Sequence, residues 1–366
     1  MSDLDLPRLL PESLVRLLAY SPPEGNYPVR LDANECPYPP DPVILEEIRT
    51  ALEDMPLHRY PDPASRDLRS AFASEFGCLA ENVMAGNGSD ELIGLLLWTL
   101  RGGQDKGPPA IVVPTPTFAM YSVAAQAAGY EVHEVPLGPG LAPDMEAMLQ
   151  AVREKQPNIV FLSNPNNPTG TFYSKDQIHS LLEASTGLVV VDEAYGDFSD
   201  EASWITEVAS YSNLAILRTL SKVGAAAIRC GFLVAGRELL EEVNKVRFPF
   251  NLSRHTQIAG EVFLRNYQRV LSQVAATVIE RERLAMELER AGFKVFPSRG
   301  NFFLVQCDGR EEALWRFLQD GGIVVKFLPR LPVAGDALRI TVGAPEENDL
   351  FINRLKEFFT EGGTDA

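Results

Sequence analysis

The chain's 366 residues, 45% hydrophobic and 23% charged, are enough for a large core and about two domains with an ordinary globular balance. Its 50 acidic against 33 basic residues leave a formal net charge of −17, which excludes nucleic acid and an anionic membrane surface as the main partner, because both require a basic face. A small anionic ligand held in a locally basic pocket passes that test.

The cysteines Cys36, Cys78, Cys230 and Cys307 are far apart with no CxxC pair, and there are only four histidines, so neither a disulfide framework nor a metal cluster is expected. The opening "MSDLDLPRLLPESL" lacks the basic region and apolar block of an export signal. The longest apolar run, "LIGLLLWTL", is too short to cross a bilayer. The expectation is a soluble, cytoplasmic protein.

In chain order, the first forty residues, with "YSPPEGNYPVRLDANECPYPP", are expected to wrap across the surface before a large domain begins. "NVMAG", "AIVVP", "NIVFLS", "GLVVVD" and "NLAILRT" then read as short strands without polar alternation, as in a sheet covered by helices on both faces. Helical patterns lie between them, which predicts an α/β fold with a mostly parallel, doubly wound sheet. After "FPFNLS" a long helical stretch is expected from about Ser253 to Arg290. The shorter runs "FKVFPS", "NFFLVQ", "GIVVKF" and "ALRITVG" follow as a smaller α+β domain. The expected division is a large cofactor-binding domain over 36–252, with 1–35 and 253–366 forming an N-terminal arm and a small C-terminal domain.

In an open parallel sheet, ligands bind beyond the carboxyl ends of the strands, so the residues just after each strand carry the information. "NVMAG" is followed by "NGSDELIGLLLW", where Gly88, Ser89 and Asp90 open a helix whose free amides and positive dipole end suit a phosphate. "AIVVP" leads to Phe118 and Tyr121. "NIVFLS" leads to "NPNNPTG" and the amide of Asn167. "GLVVVD" ends on Asp192, with Tyr195 three residues later. "NLAILRT" ends before Ser221 and Lys222, and in "RTLSKVGAAAIRCGF" tiny residues surround Lys222 and Arg229, which leaves room for something bulky.

One edge thus collects an anion cradle, an aromatic plate, an amide, a carboxylate with a phenol, and a lysine. That set fits pyridoxal 5′-phosphate. Lys222 can form a Schiff base with an aldehyde, and Asp192 can keep a pyridine nitrogen protonated. Asn167 and Tyr195 would bond the ring hydroxyl, and Phe118 would stack on the ring. Ser221, Arg229 and the amides at Ser89 and Asp90 would hold the phosphate. A free lysine titrates at about 10.4, so imine formation and nearby positive charge must tune Lys222 before it can act as a base.

With these residues in this order, the chain resembles the fold type I aminotransferases, and within them the histidinol-phosphate aminotransferase family. "LDANECPYPP", "HRYPDP", "GNGSDE", "PTPTFAMY", "SNPNNPTG", "VDEAY", "ILRTLSK", "IRCGF" and "LRITVG" all look like that family's landmarks. The resemblance implies that Tyr60 reaches the cofactor phosphate of a partner subunit, hence a homodimer with shared active sites. It implies that Arg339 binds the substrate's anionic end and that Tyr20 contacts substrate. It also implies reversible amino transfer between L-histidinol phosphate and 2-oxoglutarate in histidine biosynthesis, with Lys222 moving the proton between the substrate carbon and cofactor C4′.

Three features depart from the family pattern. Arg229 is seven steps from Lys222, one fewer than the pattern, and Ala227 replaces a glycine. Phe118 stands where tyrosine is common. Lys326 stands near where a second substrate arginine is often found, and lysine lacks the planar fork of arginine. An aromatic amino acid aminotransferase and a threonine-phosphate decarboxylase remain alternatives that share the cofactor. A cofactor-binding regulatory module without turnover would need a DNA-binding segment, and this acidic chain has neither a basic arm nor spare length at its ends for one.

Overall fold

The computed structural model describes residues 9–10, 12–15, 17, 19, 23–102 and 107–361. Among them two sheets form, and the chain enters the smaller one first with β1 (Val29–Leu31). The larger sheet then takes β2 (Val83–Asn87), β3 (Ala110–Thr115), β4 (Glu131–Pro136), β5 (Ile159–Ser163), β6 (Leu188–Asp192), β7 (Leu214–Thr219) and β8 (Cys230–Ala235). Its order is β2-β8-β7-β6-β5-β3-β4. Neighbouring strands run parallel except at β8, which runs against both β2 and β7. The mostly parallel, doubly wound sheet expected from the sequence is therefore what forms.

Every residue of β5, β6 and β7 is buried, and their alternate side chains enter two different cores. Val160, Leu162, Val189, Val191 and Ile216 meet Met148, Val152, Ile178 and Leu181 from the helices Met145–Lys155 and Lys175–Ala184. On the other face Ile159, Phe161, Val190, Ala215 and Leu217 meet Leu92 and Leu96 from helix Gly88–Thr99, and Leu240 and Val243 from helix Arg237–Val246. Covering both faces removes any need for polar alternation. Local chemistry agrees with the pattern: Ser174 and Gln177 form a reciprocal capping box at the start of helix Lys175–Ala184, a pairing that satisfies two otherwise orphaned amides.

The smaller sheet adds β9 (Lys294–Val295), β10 (Phe302–Gln306), β11 (Ile323–Leu331) and β12 (Gly335–Thr341) in the order β1-β11-β12-β10-β9. β1 pairs parallel with β11, and the others pair antiparallel. One face packs on Leu284 and Leu288 of helix Tyr267–Arg290, on Leu314 and Leu318 of helix Glu311–Asp320, and on Phe351 and Leu355 of helix Pro345–Glu361.

Two expectations change in detail. The segment at 29–34 does not lie on the surface, since Val29, Leu31, Asp32 and Asn34 are buried. The helical stretch 253–290 is two helices, Arg254–Arg265 and Tyr267–Arg290. At the break, the Asn266 side chain donates to the Val262 carbonyl at 3.1 Å, the kind of local bond by which asparagine competes with helix continuation. The first of these helices packs Val262, Phe263 and Leu264 into the same core as Leu68 and Phe72.

Candidate active site

β6 delivers Asp192 to the carboxyl edge of the large sheet, where it is 3% exposed. Its Oδ2 accepts the Tyr121 hydroxyl at 2.6 Å and its Oδ1 accepts the Ala194 amide at 3.0 Å. Burial pushes this carboxyl up to about 6, against the pull of those two hydrogen bonds. It therefore sits within reach of either protonation state near neutral pH. The next turn places Tyr195, whose phenolic oxygen accepts from Asn34 Nδ2 at 3.0 Å and from Asn167 Nδ2 at 3.3 Å. Beneath this turn Arg218 of β7 pairs with Glu193 at 3.3 Å and Asp197 at 2.7 Å. That buried network anchors the segment carrying Asp192 and Tyr195.

Asn167 is held by its own turn. Asn166 donates to the Pro116 carbonyl at 2.9 Å and to Thr169 Oγ1 at 2.7 Å, and its carbonyl accepts the Gly170 amide at 2.7 Å. β7 ends at Thr219, whose hydroxyl oxygen accepts the Ser221 amide at 3.1 Å and lies 2.9 Å from Ser221 Oγ. Lys222 follows on an irregular turn that closes through Gly224 at φ 102°, a conformation that glycine adopts without penalty. Lys222 Nζ donates to the Ala33 carbonyl at 3.3 Å and lies 5.6 Å from the centre of the Tyr195 ring.

A second cluster forms where β2 runs into helix Gly88–Thr99. Arg229, in the left-handed region at φ 52°, accepts the Gly88 amide on its carbonyl at 2.8 Å and reaches Asp90 Oδ2 with Nη2 at 3.1 Å. A Cβ at Gly88 would stand 2.6 Å from Arg229 Nη2, and one at Gly231 would stand 2.6 Å from Ser89 N. Gly88 thus makes room for the guanidinium and Gly231 for close approach of the helix start, which sets the charge beside the first-turn amides of Ser89 and Asp90 as an anion cradle. The shorter spacing from Lys222 does not carry Arg229 away from that helix start. Phe118 packs edge-on against Tyr121, with ring centres 5.4 Å apart.

Arg339 on β12 donates from Nη1 to Asn167 Oδ1 at 2.7 Å and from Nη2 to the Asp32 carbonyl. Lys326 of β11 stands directly opposite Arg339 in register, so both side chains leave the same face of the small sheet. Tyr60 stands apart from this constellation within its own chain. It is 77% exposed and stacks on Phe250 with centroids 4.4 Å apart. Tyr20 lies outside the described residues.

Residues that act through hydrogen bonds alone complete the site without a motif of their own in the sequence. Asp32, Ala33 and Asn34, three in a row after β1, contact Arg339, Lys222 and Tyr195 respectively. Asn34 also exchanges hydrogen bonds with Thr341 at 3.0 and 3.1 Å. Its φ of 53° is a conformation that asparagine tolerates better than most residues. That asparagine inside "LDANECPYPP" was the available signal.

The donor set fits pyridoxal 5′-phosphate: a cradle of amides with a guanidinium for a dianion, a buried carboxylate for a ring nitrogen, and a lysine for an aldehyde. A doubly wound sheet presenting that set defines a pyridoxal-phosphate-dependent enzyme. Residues 27–355 match the family described as aminotransferase class I and II. The chain is 40% identical over 357 residues to histidinol-phosphate aminotransferase 1 of Carboxydothermus hydrogenoformans, covering 97% of this chain and 99% of that one. It is 36% identical to histidinol-phosphate aminotransferase of Pyrococcus furiosus, covering 96% and 98%. The crystal structure of histidinol-phosphate aminotransferase from Sinorhizobium meliloti in complex with pyridoxal-5′-phosphate matches with a TM-score of 0.85 at 26% identity, covering 95% of this chain and 97% of that one. The chain belongs to the aminotransferase class I and II family, among its histidinol-phosphate aminotransferases.

Proposed function

We propose that the protein moves the amino group of L-histidinol phosphate to 2-oxoglutarate, giving imidazole acetol phosphate and glutamate, as a step of histidine biosynthesis. The observation that carries this reading is the agreement between relatives of that name along nearly the whole chain and the convergence of Lys222, Asp192, Asn167, Tyr195 and Arg339. Pyridoxal 5′-phosphate, when bound, supplies an aldehyde for the substrate amine and a ring that takes up electrons.

The chain's own residues do the rest. Asp192 holds a proton on the ring nitrogen, and Asn167 with Tyr195 fixes the ring hydroxyl. Phe118 covers a ring face. The amides of Ser89 and Asp90, with Ser221 and Arg229, bind the phosphate, while Gly88 spends its own amide on the Arg229 carbonyl. Lys222 Nζ carries the proton between the substrate carbon and cofactor C4′. Arg339 receives the anionic end of each substrate in turn, exchanging its bonds to Asn167 and the Asp32 carbonyl for it, and Lys326 adds a second positive charge beside it.

Tyr60 belongs to the partner's site in a homodimer. Its exposure, with that of its stacking partner Phe250 at 37% and of Leu57 and Phe248, close to the pair in sequence, at 81% and 69%, supports that placement, because a second copy would cover them. No described helix is long and apolar enough to cross a membrane, and the cytoplasm is the compartment we propose. The domain division is likewise 36–252 against 1–35 with 253–366. The pairing of β1 with β11 supports it, while helix Arg254–Arg265, just past the boundary, packs into the core of the large domain.

The test is a half-reaction. Protein loaded with pyridoxal phosphate should lose the visible absorbance of bound cofactor rapidly with L-histidinol phosphate and with glutamate. Conversion by phenylalanine alone, or release of carbon dioxide from threonine phosphate, would move the chain to a different reaction. A colourless protein would sink the cofactor reading.

A further inference from the structure

We propose that Tyr121 is a positioning residue for Asp192, fixing both the charge and the direction of the carboxylate that meets the cofactor's ring nitrogen. The inference rests on the cofactor reading above.

An ionised carboxylate is an acceptor only, with two oxygens to satisfy. Asp192 has one inward donor on each: the Ala194 amide at 3.0 Å and the Tyr121 hydroxyl at 2.6 Å. The second distance is typical of a hydroxyl bonded to a charged oxygen. Neither partner is wet, since Tyr121 is fully buried and Asp192 nearly so. Burial and the neighbouring acids Asp90 and Glu193 push the Asp192 carboxyl toward its neutral form, and the Tyr121 bond is the larger of the two hydrogen-bond pulls the other way. The phenol itself is held well above its ordinary range by its burial and by the adjacent carboxylate. It therefore donates its proton and does not lose it.

The ring is as firmly placed as the hydroxyl. Tyr121 stacks on Phe161 of β5 with centroids 4.8 Å apart and planes 5° apart, and it meets Phe118 edge-on. Its backbone amide also bonds the Phe118 carbonyl at 3.2 Å. One residue thus supports both the aromatic plate and the carboxylate. A neutral Asp192 would offer a proton to the ring nitrogen and accept none, which would leave the nitrogen unprotonated and the ring a weaker electron acceptor. Tyr121 is what opposes that outcome.

The variant is Tyr121→Phe, which keeps the ring and its stacking and removes only the hydroxyl. The measurement is affinity for pyridoxal phosphate and for its analogue with carbon in place of the ring nitrogen, each titrated into cofactor-free protein across pH. The wild-type protein should favour the nitrogen-bearing ligand. In Tyr121→Phe that preference should fall about tenfold or more, with affinity for the carbon analogue nearly unchanged, and it should vanish at higher pH than in the wild type. Equal losses for both ligands would mean that Tyr121 only packs, and no loss for either would overturn the role as directly. Wild-type protein that binds neither would overturn the cofactor reading together with this one. If Tyr121→Phe does not fold, fluorotyrosine at position 121, a stronger donor of nearly the same shape, should extend the preference to lower pH; an unmoved profile would overturn the proposal.

Discussion

Asp192 shows how a side chain proposed for catalysis can oppose the stability of its own fold. Its carboxyl rises from an ordinary 3.8 to about 6, so the folded protein prefers it neutral. The stability this contributes is fully present below about pH 4 and is lost as pH rises through about 6. Asp192→Asn removes the titration. Thermal melts of the cofactor-free proteins should therefore show the wild type losing a few degrees relative to the variant between pH 4 and pH 6, while the variant fails to retain cofactor; parallel melting curves would contradict the burial argument. Arg339 makes the complementary case for substrate. Removing its guanidinium in Arg339→Ala should raise KM for both amino donor and keto acid by about tenfold to a hundredfold, because in the proposed function each presents its anion to this one group. Lys326→Ala should have a smaller effect, and a large effect confined to one substrate would assign that substrate's anion to Lys326.

Elements place these residues, and the glycines of the anion cradle are where an element boundary constrains chemistry most. In Gly231→Ala the new Cβ would press on Ser89 N from 2.6 Å, on backbone that cannot swing aside. The expected outcome is a cost of about 1–3 kcal/mol in stability together with weaker cofactor binding, read by melts and by cofactor titration. Gly94→Ala, six residues into the same helix where a Cβ meets nothing within 4 Å, should stabilise by about 0.5–1 kcal/mol with binding unchanged. The same scale explains what the chain reveals when only its letters are read. β5, β6 and β7 are legible because helices bury both of their faces, and their functional residues are legible because they come at strand ends. β4, at the sheet edge, has only Val135 buried, β8 emerges from a run of small residues, and β1 is three residues long, so none carries the pattern of a covered parallel strand. The contacts of Asp32 and Ala33 are harder still. They are made by backbone carbonyls, which leave no trace in residue type, and they join positions far apart in the chain.

At the scale of the whole molecule, the question is whether one chain can complete its own site. Tyr60 stacks on Phe250 at the surface and has no bond to the Lys222–Asp192 constellation. If it serves the partner's phosphate cradle, each site of the homodimer is assembled from two copies, and loss of Tyr60 from one chain damages the other chain's site. That asymmetry can be measured by complementation. Lys222→Ala is expected to fold and to have no turnover, and Tyr60→Ala to be weak at limiting cofactor. When the two are mixed and their subunits exchange, a mixed dimer holds one site with both defects and one with neither. Random exchange should therefore restore roughly a quarter of wild-type sites, and activity should rise above that of either parent as exchange proceeds. If Tyr60 instead acted within its own chain, every site in the mixture would keep a single defect and no activity would return. Exchange itself is followed independently with a mass or affinity label, so a flat activity trace alongside completed exchange would locate Tyr60 outside the shared site.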